Sequence, residues 1–254
     1  LNLLLASHFN SKKTPESIRA LKQLQIAFAQ TPSDPFIQTA LLQQLLSLKQ
    51  KTKAEKIAKD IATQFSTDSN SMVVVGNYYF ASGKLGQARA ALQSALSINS
   101  ENTVAMRSLG RLLIHTKDYE GAKLNYQAYI KAHPESSRGY KGLIMTYELT
   151  QEAAKGAIVL SKYADESNNS IPLLVLAKYY IRRSEFTSAS DVIEKAAGLS
   201  ENDQRISKLK TLNAIAEAQS LIQDELFNKA RNVILDGFGS DTENSQLMGM
   251  LVYI

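Results

Sequence analysis

The sequence predicts an all-α solenoid, a stack of short antiparallel helix pairs. Three observations lead there. Small residues recur at a fixed period: Ala20, Ala54, Ala88 and Ala122 are each 34 residues apart, Gly156 lies one period later, and Ala189 and Ala230 follow after 33 and 41. A second small marker, at Gly76, Gly110, Ala177 and Ala218, runs twelve residues ahead of Ala88, Ala122, Ala189 and Ala230. Large apolar residues fill the intervals at spacings of three and four, which places them on one face of a helix. A period of this length marks a repeat architecture, in which one helix pair cannot bury its apolar face alone and must stack on its neighbours.

Each unit follows from the same physics. Two helices approach closely only where small residues let their backbones meet, so Gly76 and Ala88 are read as contact points, with Val75, Tyr79, Leu85, Leu92 and Ala95 packed around them. In the next unit Leu109, Leu113, Tyr119, Tyr126 and Ile130 surround Gly110 and Ala122. An aromatic residue precedes the small one by three positions at Tyr119, Phe186 and Phe227. Ser82-Gly83-Lys84 and Thr116-Lys117-Asp118 read as turns. Pro32 and Pro134 close units, while Pro35 and Pro172 stand where helices start. The units fall at 1–34, 35–68, 69–102, 103–136, 137–169, 170–210 and 211–244, with 245–254 opening another. The first keeps Leu5-Ala6 and Phe9; Leu42 and Ile144 occupy positions where a small residue is expected; the extra residues before 211 lengthen a helix through 205–218.

With Leu109-Gly110, Tyr119, Ala122, Tyr126 and Pro134 in one unit and Val75-Gly76, Tyr79 and Ala88 in another, the chain resembles the tetratricopeptide repeat family. The resemblance implies a right-handed superhelical solenoid of about seven helix-turn-helix units plus a partial one, acting as a non-catalytic scaffold for protein partners. It also implies a concave groove lined by the first helix of each unit. The groove positions hold Asn77 and Phe80, then Arg107, Arg111, Ile114 and His115, then Arg138, Lys141, Met145 and Glu148, then Leu174, Lys178, Ile181 and Arg182. A basic groove with apolar patches suits a protein or extended peptide of acidic character. The carboxylate clamp of some family members is matched at Asn77 but departed from at Val73, Ser108 and Gly142. The RNA-reading pentatricopeptide class has a similar period, but no regular polar pair is present to read bases.

Composition narrows the functional classes. The 254 residues carry no Cys and a net charge of +5, which removes thiol chemistry and disulfides and falls short of a dedicated nucleic-acid binder. His8, His115 and His133 lie at no metal-ligand spacing, and neither a phosphate loop nor a nucleophile elbow is present, so no catalytic, metal or cofactor residue is expected. Apolar runs such as 171–177 are far shorter than the roughly 20 residues of a membrane-spanning helix. No signal peptide is visible. Both ends, 1–5 and 247–254, read as apolar helix, so the sequence is expected to be an excerpt of a longer protein whose uncovered ends can self-associate. Residues 1–210 carry +9 and residues 211–254 carry −4.

The irregular periods and the abundance of Ser, Gln, Asn and Lys are similar to bacterial repeat lipoproteins of exopolysaccharide export and the PEP-CTERM sorting system, implying a periplasmic or cell-envelope scaffold. A regulatory or sensor arm of a larger enzyme or transcription regulator, or a glycan-binding surface using Tyr78, Tyr79 and Phe80, are the rival readings.

Overall fold

A computed structural model describes residues 14–200, 203–238 and 244–253. Fourteen helices run through them: α1 Pro15–Gln30, α2 Pro35–Ser47, α3 Lys51–Gln64, α4 Ser69–Ala81, α5 Leu85–Ile98, α6 Thr103–His115, α7 Tyr119–Ala132, α8 Ser137–Leu149, α9 Ala153–Ser167, α10 Ile171–Arg182, α11 Phe186–Leu199, α12 Gln204–Gln223, α13 Phe227–Phe238 and α14 Ser245–Tyr253. The described residues contain no strand. The expected features at residues 1–5, Ala6, His8 and Phe9 lie outside them.

The helices fall into two compact units, Leu1–Ala132 and His133–Ile254. In the first, α2 pairs with α3, α4 with α5 and α6 with α7, and the leading helices α2, α4 and α6 pack on one another in turn. In the second, α8 pairs with α9, α10 with α11 and α12 with α13, and α8, α10 and α12 pack successively. Each unit is therefore two layers, leading helices on one side and trailing helices on the other.

Helix starts are written into the sequence. Thr14 and Ser17 form a reciprocal cap ahead of Pro15, and the Asp34 carboxylate accepts from the backbone N–H groups of Phe36 and Ile37. Proline suits these first positions because its missing N–H has no intrahelical partner there. The Asn102 carbonyl caps α6, while its amide donates to Ser69 Oγ at 2.8 Å and Asn70 Oδ1 at 3.0 Å. Ser69 in turn donates to the Ala95 carbonyl. One buried asparagine thus starts a helix and ties successive pairs together.

The small markers sit where helices touch. Ala54, Ala88, Ala122, Ala189 and Ala230 are wholly buried, Ala20 nearly so, and Gly156 is buried as well. A Cβ at Gly76 would lie 2.6 Å from Leu92 Cγ, and one at Gly110 would lie 2.5 Å from Tyr126 Cζ. These glycines are absences of volume that the partner helix occupies.

The turns inside the pairs share a feature that composition hides. Lys49, Gly83, Lys117, Gln151, Ser184 and Glu225 all have positive φ, at 57°, 75°, 60°, 59°, 59° and 59°. Their spacings are 34, 34, 34, 33 and 41, the period of the alanines five residues later. Only Gly83 is a residue for which left-handed backbone is free of steric cost. Lys117→Gly is therefore expected to stabilise the chain by about 0.5 kcal/mol, the relief of strain being partly offset by a more flexible unfolded chain. Urea midpoints measure this, and Gly83→Ala should shift the midpoint the opposite way.

The boundary expected between 210 and 211 falls inside α12. That helix has 20 residues against 13 in α2, α4, α6 and α8. The seven additional residues are two turns, so they extend the helix without rotating its buried face. This is how a 41-residue spacing fits an array of 34.

Candidate ligand-binding surface

Groove positions lie on the leading helices, and each unit is described separately. In the first, Asn77, Arg107, Arg111 and His115 are exposed and Phe80 is half-buried. The Phe80 and His115 rings meet edge to face with centroids 5.3 Å apart, so α4 and α6 do bring together two of the predicted residues. Arg107 and Arg111 stand one helical turn apart on α6. The Tyr126 ring lies against Gly110. Burial pushes the Tyr126 hydroxyl pKa up, and the positive charges of Arg111 and Arg107 act in the opposite sense. Tyr78 and Tyr79 are only 2% and 8% exposed, because they turn into the core with rings 5.3 Å apart. They offer no platform for a sugar ring, so of the three aromatic residues of the glycan reading only the half-buried Phe80 is left.

In the second unit, Lys141 on α8 and Lys178 on α10 line one small pocket of about 90 Å³. Ser137 stands at its edge, and Leu174, Val175 and Leu209 supply apolar walls. Arg205 also lines it, but its guanidinium is held by both oxygens of Asp203 at 2.6–2.9 Å. That pairing lowers the pKa of Asp203 and raises that of Arg205, the hydrogen bond between them being the largest cause of each. Lys141 and Lys178 make no such ion pair among the described residues. Arg138 is exposed on α8 one turn before Lys141.

Arg182 differs from the other predicted cations. Its Nη2 donates to Glu148 Oε2 at 2.8 Å, and Arg183 contacts the other oxygen of the same carboxylate at 3.5 Å. Both guanidinium carbons lie 5.6–5.7 Å from the Tyr179 ring centroid. Most of the Arg182 charge is thus used within the unit. Sequence reasoning placed Glu148 and Arg182 in the groove but not their pairing, since the two are 34 residues apart and meet only when α8 and α10 stack. Arg205 and Ser137 were missed because they sit at helix starts, before the first groove position of a repeat.

Among the described residues, no group of three His, Asp or Glu side chains could hold a metal ion, and no helix is long and apolar enough to cross a membrane. The geometry instead supplies ammonium and guanidinium donors beside apolar walls, which can receive a carboxylate flanked by an aliphatic side chain.

A tetratricopeptide repeat family model matches residues 79–144. That stretch matches the tetratricopeptide repeat pattern. Solved TPR structures show the same fold. The C-terminal part of a TPR protein from Cytophaga hutchinsonii aligns over 92% of this chain and 94% of its own, at 16% identity and a TM-score of 0.53. A TPR protein from Parabacteroides merdae aligns over 93% and 91%, at 14% identity and a TM-score of 0.51. The structure of Naa15/Naa10 bound to HypK-THB aligns over 94% of this chain at 18% identity and a TM-score of 0.47, and the chain spans 36% of that chain's length. No curated protein matches the sequence.

Proposed function

We propose that the chain is a non-catalytic protein-interaction scaffold whose leading helices take an acidic, extended segment of a protein partner. The observation that carries this reading is the convergence of Lys141 and Lys178, from two different helices, over the walls of Leu174, Val175 and Leu209. Neither lysine makes an ion pair among the described residues. The TPR fold supports the general class, and Arg107 and Arg111 offer a second basic surface on the first unit. We place the scaffold in bacterial envelope polymer export or protein sorting, in the periplasm or cell envelope. That narrower setting rests on the texture of the repeats, and fractionation of cells producing the protein tests it.

Fluorescence anisotropy with a labelled peptide of alternating acidic residues and leucines tests the interaction. Affinity is expected to fall as salt rises, because exposed charges are screened over about 8 Å at physiological ionic strength. Lys141→Glu/Lys178→Glu should weaken binding by about tenfold or more, since each reversal replaces an attraction by a repulsion. Arg107→Glu/Arg111→Glu measures what the first unit contributes. If both double variants bind the peptide as the parent does, the basic surfaces are not the site.

A further inference from the structure

The basic pocket of the second unit is built in register with the repeat. Ser137, Ile171 and Arg205 follow one another at intervals of 34, and so do Lys141, Val175 and Leu209. Lys178 lies one turn beyond Leu174 on α10. Equivalent positions of α8, α10 and α12 therefore border one space, and those helices pack successively. Its floor is part of the core: Leu174, Val175 and Leu209 are 5%, 4% and 2% exposed. Its polar lining is two lysines, one arginine and one serine, and no carboxylate lines it.

Among the described residues, the one carboxylate that pairs with these cations is Asp203. It takes Nε and Nη2 of Arg205 and also accepts from the Arg205 backbone N–H, capping α12. Those bonds leave Nη1 of the guanidinium for another acceptor. Three positive charges against one negative leave two in excess. The pocket also lies at the start of its helices: Ser137 and Ile171 are the first residues of α8 and α10, and Arg205 is the second of α12. Peptide dipoles add positive potential at that end of a helix. A glutamate or aspartate of a partner brings one negative charge and two oxygens. A phosphate monoester brings about 1.5 to 2 charges at neutral pH and three terminal oxygens.

We propose that this pocket takes a phosphorylated serine or threonine of the protein partner, with Lys141, Lys178 and Arg205 Nη1 as donors to the phosphate oxygens. The proposal rests on the reading of Lys141 and Lys178 as a binding surface and narrows its ligand from an acidic segment to a dianion. At about 90 Å³ the pocket is small, which suits a short side chain with apolar neighbours laid on Leu174, Val175 and Leu209. Arg205 is shared between Asp203 and the phosphate, so Asp203 moderates the affinity. Binding then follows the modification state of the partner.

Fluorescence anisotropy with four labelled peptides tests the proposal. Each has a leucine on both sides of a central residue, which is phosphoserine, sulfoserine, glutamate or serine. Sulfoserine has the tetrahedral shape of phosphoserine but a single charge. The phosphopeptide is expected to bind at least about tenfold more tightly than the sulfo- and glutamate peptides, and the serine peptide weakest of all. Lys141→Met/Lys178→Met should abolish that preference. Asp203→Asn keeps an effective helix cap while freeing Arg205, and should tighten phosphopeptide binding by roughly two- to fivefold. N-acetyl-phosphoserine amide should compete at least about tenfold more weakly than the phosphopeptide; equal competition would assign the pocket to a small phosphomonoester and overturn the protein-partner assignment. Equal affinity for the phospho-, sulfo- and glutamate peptides, or a preference that survives Lys141→Met/Lys178→Met, would overturn the dianion assignment and leave the acidic-segment reading standing. Failure of all three charged peptides to bind would remove both.

Discussion

Tyr140→Ala should destabilise the second unit by about 3–5 kcal/mol, the range for removing a large buried aromatic ring. Tyr140 is 1% exposed on α8, its ring meets that of Tyr163 edge-on at 6.1 Å, and its hydroxyl donates to the Pro134 carbonyl at 3.0 Å. The Asn169 amide donates to the same carbonyl at 2.9 Å. Truncation would empty the ring's volume and remove one of two donors that fix the loop before α8. Tyr140→Phe isolates the hydroxyl and should cost only about 1 kcal/mol. The phenol's pKa is pushed up to about 12, first by burial and then by the charges of Tyr163 and Glu135. Between pH 10 and 12 the folded chain keeps a proton that the unfolded chain has lost, so this contribution is complete below pH 10 and disappears towards pH 12. Denaturant titrations across that range should show a shallower alkaline loss for Tyr140→Phe than for the parent.

Ala122→Phe should be the most damaging single change in the first unit. Ala122 is wholly buried on α7, where α7 packs on α6. A benzyl group there forces the two helices apart or drives side chains off their rotamers, at a cost of roughly 1–3 kcal/mol or more. Thermal unfolding followed by circular dichroism measures it. An unchanged midpoint would contradict the burial of the repeat alanine. The same substitution at Ala90, which is exposed on α5, should leave the midpoint close to that of the parent.

Much of this fold was legible because its cause is local. A helix pair needs small residues where backbones meet, and a 34-residue recurrence of Ala20, Ala54, Ala88 and Ala122 records that need directly. The left-handed turn residues were not legible, since Lys49, Lys117, Gln151, Ser184 and Glu225 are types that signal no such backbone. Their conformation is imposed by the closing helices, not preferred by the side chain. The lengthened helix through 205–218 was legible from the extra residues before 211, and the two added turns of α12 leave its buried face in phase. Exposure of Arg107, Arg111, Lys141 and Lys178 agrees with the groove positions that the family resemblance implied. The pairing of Glu148 with Arg182 and Arg183 was not legible, because it arises between helices distant in sequence.

Within each unit, helices pack on the next helix and on the leading helix after it. Such an arrangement has no keystone. Strain introduced at one pair is absorbed by the pairs beside it and fades along the array, as a kink does in a coil spring, while more distant pairs keep their shape. A partner gripping several leading helices would therefore meet a surface that is stiff across each pair and compliant along the stack, able to adjust its pitch to the partner while every pair keeps its own core.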